Sequence, residues 1–380
     1  MPAFQLNKSS KLTLLLVSSL TIMSIITISP ALPLISDHFK DIQGIDTLVK
    51  IMLTVPALFI AIISPIAGRL IDKIGRLKLL LPAMIFYAFC GSVGLYTESI
   101  YILFLSRIGL GIAVGVTMTI VVTLVADYFQ GMERQKFLGL QIAFMSLAGI
   151  VFVGFGGYLS DINWRYPFAL YLLALIVMPF AARLLPEPEK IIIDKEDKKM
   201  KAPLFIWLLF INTGIMWMIF FLIPVHLPYY LESMGIEQKS MVGLAIALST
   251  LFSAVSSFLF FKIKERFSFQ RIITMGYIIV ALAFVSLYHA TGFPMILMAM
   301  VLGGLGIGVM IPNINMWVMQ LAPQEIRGQE IGKLTTFWFM GQFLSPIVSA
   351  PILGMIGLPA TFLLVAVLSG LLAVAFLFIK

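Results

Sequence analysis

One arginine, one histidine and a scatter of amides and rings are the residues of this chain able to do chemistry inside long apolar runs. Arg107 opens Arg107-Ile-Gly-Leu-Gly-Ile-Ala-Val-Gly115, so Gly111 and Gly115 recur one and two helical turns on. A guanidinium in such a run needs a partner, which can be an anionic ligand, carbonyls of the first span or a path to the outer surface. A lone cation in a dry interior suits an anionic or zwitterionic ligand, whose carboxylate would supply the missing charge. Gln141, Asn212, Trp217, Asn313, Trp317 and Gln342 are the groups that could complete such a site, and each amide suits a helix-to-helix hydrogen bond equally well. Asn315 is a further amide of the same kind. Asn313, Trp317 and Gln320 fall at i, i+4 and i+7 and so share one helical face. Asn212 and His226 share a stripe but stand about 21 Å apart along a helix, too far for one small ligand. His226, between Pro224 and Pro228, is the group best suited to carry a proton near neutral pH; beside Tyr229 and Tyr230 it also suits an interfacial aromatic belt. Asp and Glu are missing from the central third of every apolar run. There is no His-Glu-x-x-His, no nucleophile elbow and only one cysteine, Cys90, so neither an enzyme nor a cofactor or metal is expected.

The elements that must position these groups follow from composition. Of 380 residues, 60% are apolar and 12% charged, and mean hydropathy is +1.04. A soluble domain cannot be built from this, because it needs a polar skin the chain cannot supply. Twelve apolar runs long enough to span a bilayer are present, at about 12–36, 48–68, 79–97, 99–126, 137–160, 165–185, 203–231, 240–261, 271–289, 293–321, 332–356 and 357–379. The last two meet at a tight junction of Gly354, Gly357 and Pro359. The loops on one side carry twenty-one Lys and Arg against four on the other, Lys40, Lys50, Arg165 and Lys239. The positive-inside rule therefore predicts both termini in the cytoplasm. The net charge of +8 is explained by this topology, so no nucleic-acid partner is expected.

The longest hydrophilic stretch, Pro186–Lys201, falls between the sixth and seventh runs. It predicts an N-terminal six-helix bundle at 1–185, a solvated cytoplasmic linker at 186–202 and a C-terminal bundle at 203–380. An offset of about 195 aligns Arg107–Val114 with Leu302-Gly-Gly-Leu-Gly-Ile-Gly-Val309, a weak internal repeat of the two bundles. Such repeats suit a transporter with its site between the halves near the bilayer midplane.

Between runs two and three lies Gly68-Arg-Leu-Ile-Asp72-Lys-Ile-Gly75-Arg76-Leu-Lys78. Gly68 would permit close helix approach and Gly75 a tight turn, while Asp72 would sit against a helix N-terminus and Arg76 would pair with carboxylates. The segment resembles the cytoplasmic loop signature of the major facilitator superfamily. The resemblance implies an all-α membrane protein of twelve helices in two pseudo-symmetric bundles, with Asp72 docked on the start of span 11 near Gly328–Lys333 as an inner gate. Arg107–Gly115 looks like the span-4 signature of the drug:proton antiporter branch. Gly154-Phe-Gly156-Gly157 and Trp164-Arg-Tyr-Pro-Phe168 resemble that branch in and after span 5, without its proline.

The resemblance implies a monomeric secondary transporter of the bacterial inner membrane, exporting an amphipathic organic compound by alternating access. Protons are the expected coupling ion, through His226 and Arg107. An anionic metabolite such as a siderophore fits the interior better than a cationic drug; a multidrug antiporter and a lipid flippase on the same scaffold are the alternatives.

Overall fold

The computed structural model describes residues 6–188, 202–324 and 326–379, apart from the side chain of Asp72. All regular structure among them is helical. That is the expected solution for apolar segments in lipid, where every backbone N–H and C=O must be paired within its own segment. In chain order the helices are α1 (Lys8–His38), α2 (Ile45–Ile74), α3 (Arg76–Ser92), α4 (Ile100–Tyr128), α5 (Gly131–Ile162), α6 (Tyr166–Leu184), α7 (Phe205–Ser233), α8 (Lys239–Lys264), α9 (Phe269–Tyr288) and α10 (Phe293–Leu321). A final helix, Arg327–Phe378, has 52 residues. At 1.5 Å per residue it would be about 78 Å long, more than twice the ~30 Å hydrocarbon core. It breaks at Gly357, whose φ of 77° and ψ of 168° only glycine adopts cheaply. Residues 327–356 are α11 and 358–378 are α12, which gives the twelve spans.

Proline marks irregularities within the spans. In α1 a 3-10 turn at Ser29–Ala31 separates Lys8–Ile26 from Leu32–His38, around Pro30 and Pro33. Serines and threonines of α1 return their hydroxyls to the helix, as Ser18 does to Leu14 O and Thr27 to Met23 O. Their burial therefore leaves no donor stranded.

The chain divides into two compact units, Met1–Asp197 and Lys198–Lys380. In the first, α2 lies along α4, α3 along α4 and α6, and α1 against α4, α5 and α6. In the second, α8 lies along α10, α9 along α10 and α12, and α7 against α11. The principal pairs of one unit thus recur six helices later. Helices α4 and α10 both have 29 residues, and each end of α10 lies 193 positions beyond the matching end of α4.

Packing fixes that register. A Cβ on Gly111 would meet Pro56 O of α2 at 2.7 Å, and one on Gly115 would meet Ile63 Cβ at 3.2 Å. The counterparts are Gly304 and Gly308 of α10, where a Cβ would lie 2.2 Å from Ser249 O and Ser253 O of α8. The alignment at about 195 is therefore two residues out, because it matches Gly111 to Gly306, which faces α9 instead.

The start of the expected linker has partners in the first unit. Residues 189–201 of the expected 186–202 segment lie outside the described residues, but its start is attached to the first unit. The Tyr128 hydroxyl donates to Pro186 O, and the Glu187 carboxylate accepts from the backbone N–H of Arg76 at 2.6 Å and of Leu77 at 2.7 Å.

Candidate functional site

Arg107 is 1% exposed and sits where α3, α4 and α6 meet. Its Nη2 donates to Gly91 O at 2.8 Å and to Cys90 O at 3.2 Å. Its Cζ lies 5.0 Å from the ring centroid of Phe168 and 5.1 Å from that of Tyr171. Gly91 of α3 and Gly94, in the turn just after it, make this cage possible, since a Cβ on Gly91 would meet Tyr171, and one on Gly94 would meet Phe168, at 2.3 Å. The carbonyls belong to span 3, not to span 1 as one of the sequence alternatives had it. Nε and Nη1 make no well-aligned hydrogen bond among the described residues, and the Tyr171 hydroxyl is the side-chain oxygen beside the guanidinium. The guanidinium is thus solvated by dipoles and π faces with no carboxylate beside it, and it is enclosed rather than presented on an open face.

The other candidates fall into separate clusters. In the first unit, Gln141 of α5 donates through Nε2 to Ser18 Oγ of α1 at 2.9 Å. In the second, Asn212 accepts at Oδ1 from the Tyr277 hydroxyl at 2.7 Å, which ties α7 to α9. Asn313 donates to Phe269 O at 3.0 Å, and Trp317 stacks on the Phe269 ring with centroids 5.4 Å apart, so both grip the start of α9. Gln320, of the same expected face, is exposed, and Asn315 donates to Ile311 O of its own helix. His226 is 1% exposed, with Nε2 2.8 Å from Ser349 Oγ of α11 in a hydrogen bond. Trp217 stacks on Trp338 of α11, centroids 4.0 Å apart and planes 14° from parallel. Gln342, one turn beyond Trp338, is 2% exposed.

At the Gly68–Lys78 segment, Gly75 ends α2 with φ 114°, a turn only glycine accommodates easily. Arg76 donates through Nε to Asp127 Oδ2 of α4 at 3.0 Å, with Arg76 nearly buried. A Cβ on Gly68 would meet nothing within 4 Å, so close helix approach does not explain that glycine. The side chain of Asp72 lies outside the described residues. The α3 N-terminus is capped by Glu187, whose carboxylate suits the orphan N–H groups and the positive end of the helix dipole.

Sequence reasoning missed Phe168 and Tyr171 as the arginine's cage, Tyr277, Ser349, Trp338 and Glu187. Only Trp338 carried a readable signal, its i, i+4 spacing to Gln342; the others are brought in by helices distant in sequence.

The profile of the Major Facilitator Superfamily matches residues 14–329 and 237–380. The chain belongs to the Major Facilitator Superfamily. It is therefore a multi-pass membrane transporter, from a family of transporters and not of enzymes. Among relatives, Quinolone resistance protein NorA of Staphylococcus aureus (strain MSSA476) is 24% identical over 331 residues, 84% of each chain. The Bacillibactin exporter of Bacillus subtilis (strain 168) is 25% identical over 356 residues, 85% of each chain. A bacterial homolog of the human lysosomal transporter Spinster superposes with a TM-score of 0.79 at 16% identity, over 97% of this chain and 95% of that one. That likeness bears on the fold alone, and it matches the major facilitator arrangement of α1 to α12.

Proposed function

We propose that this member of the superfamily is a proton-coupled exporter of an amphipathic organic compound, working by alternating access as a monomer in the bacterial cytoplasmic membrane. The Lys and Arg bias of the loops supports an orientation with both termini in the cytoplasm. Export is supported by the names of two relatives, a drug resistance protein and an exporter.

Within that class, an anionic metabolite such as a siderophore stands ahead of a lipophilic cation. The observation that carries this preference is the buried charge of Arg107, which meets no carboxylate among the described residues, in spans whose central thirds hold no Asp or Glu. Enclosure removes direct contact in this conformation but not the field. At an effective dielectric of about 20, a unit charge about 10 Å away feels roughly 1.7 kcal/mol. An anion and a cation of equal shape would then differ by roughly 3 kcal/mol. In the proton cycle, His226 with Ser349 is the proposed carrier, and Arg76, Gly75 and Asp72 belong to the inner gate.

Direction is tested with membrane vesicles of both orientations. Energised inside-out vesicles should accumulate an acidic siderophore-like compound, and right-side-out vesicles should not. Accumulation only in right-side-out vesicles would make the chain an importer.

A further inference from the structure

We infer that the crossing of α7 and α11 is a binding site for a flat aromatic ring carrying a hydroxyl, with Trp217, Trp338 and Gln342 as its recognition groups. This rests on the exporter reading and names which part of an amphipathic substrate is held there, and by what.

The helices touch at glycines. A Cβ on Gly341 would lie 2.1 Å from Gly214 O, and Ser345 Oγ donates to Met218 O at 2.8 Å. Trp217, Trp338 and Gln342 all lie within about a turn of that contact. Three buried polar atoms there meet no partner among the described residues: Nε1 of Trp217, Nε1 of Trp338 and Oε1 of Gln342. Buried indole N–H groups ordinarily find acceptors, and a buried amide oxygen without a donor is costly. Pro346, four residues beyond Gln342, also cannot donate to the Gln342 carbonyl. Two donors and an acceptor within about a turn of one contact, none of them paired with another, make a complementary set for a third group.

The rings suggest what that group is. The two indoles stack at 4.0 Å, the spacing at which a planar ring packs on another, and Phe220 and Phe221 flank Trp217 at 5.4 and 6.3 Å. Trp217 is 7% exposed, while Trp338 is more open. A ligand ring that displaces the Trp338 indole from the face of Trp217 keeps the stack. Its edge hydroxyl then accepts from an indole N–H and donates to Gln342 Oε1. An aliphatic acid offers no ring for the stack and, when ionised, no hydrogen for Gln342 Oε1.

The test uses the purified full chain in detergent micelles, with equilibrium dialysis of 6-hydroxynaphthalene-2-sulfonate, naphthalene-2-sulfonate and cyclohexanesulfonate. The first should bind at least tenfold more tightly than the second, and the third should bind most weakly. Gln342→Leu should abolish the advantage of the hydroxyl, so that 6-hydroxynaphthalene-2-sulfonate and naphthalene-2-sulfonate bind alike. Because it removes an unpaired buried oxygen, it should hold or raise the thermal midpoint of the unliganded protein. Trp217→Leu should weaken both aromatic probes at least tenfold. A fall in midpoint for Gln342→Leu with hydroxyl selectivity intact would overturn the inference and make Gln342 a packing residue. Equal binding of all three probes would overturn it as well. Either result leaves export open, since vesicle accumulation is read separately; loss of accumulation with binding intact would instead sink the exporter reading.

Discussion

Arg107 shows how a buried charge is tolerated without a counter-charge. A bare guanidinium at membrane depth costs several kcal/mol. Two carbonyls and two aromatic faces, each cation–π contact contributing about 0.5–2 kcal/mol, offset much of it. Lysine is a compact point charge and cannot reach the carbonyls while lying over both rings. Arg107→Lys should therefore lower thermal stability yet keep a preference for anions, whereas Arg107→Gln should erase at least tenfold of that preference in competition transport assays. Equal selectivity in Arg107→Gln and the parent would detach the arginine from the substrate. At His226, replacement by Ala should abolish stimulation of transport by a pH gradient but leave substrate counterflow running, because exchange needs no net proton movement. Gradient stimulation that survives in His226→Ala would remove it from the proton path.

Helix register depends on which glycines meet backbone. Gly111→Ala and Gly304→Ala would push a methyl into a neighbouring carbonyl and should each cost about 1–3 kcal/mol, read as a lowered midpoint. Gly139 faces open space in α5, so Gly139→Ala should be neutral or stabilising by up to about 1 kcal/mol. Glu187→Gln removes a charged cap from α3 and should cost about 1 kcal/mol. The spans themselves were legible, because apolar runs of bilayer length admit one structure. Register was not, because Gly recurs in α10 at 303, 304, 306 and 308 and several offsets fit until the facing helix is known. Residue types at the site were legible for the same reason that their partners were not. Arg107 stands out among apolar neighbours, but its cage is assembled from Gly91 and Phe168 by packing of α3 and α6. Glu187 looked like solvated linker because composition cannot show that a helix N-terminus lies beside it.

For the whole molecule, placement of charge carries most of the functional argument. The excess of +8 is gathered in loops predicted to face the cytoplasm, while Arg107 is buried among apolar side chains, and the proposed preference for anions rests on it. Twelve spans require both termini on one side, so proteolytic tags at each end of the chain should be cleaved together in inside-out vesicles and protected together in right-side-out ones. The central claim is proton-driven movement of an amphipathic anion. It is tested most directly in proteoliposomes under an imposed pH gradient, comparing flux of 6-hydroxynaphthalene-2-sulfonate with that of tetraphenylphosphonium. The account predicts that the sulfonate moves against its concentration gradient while the gradient lasts, and stops when a protonophore collapses it. Gradient-driven flux of the phosphonium alone, or sulfonate flux indifferent to the protonophore, would contradict it.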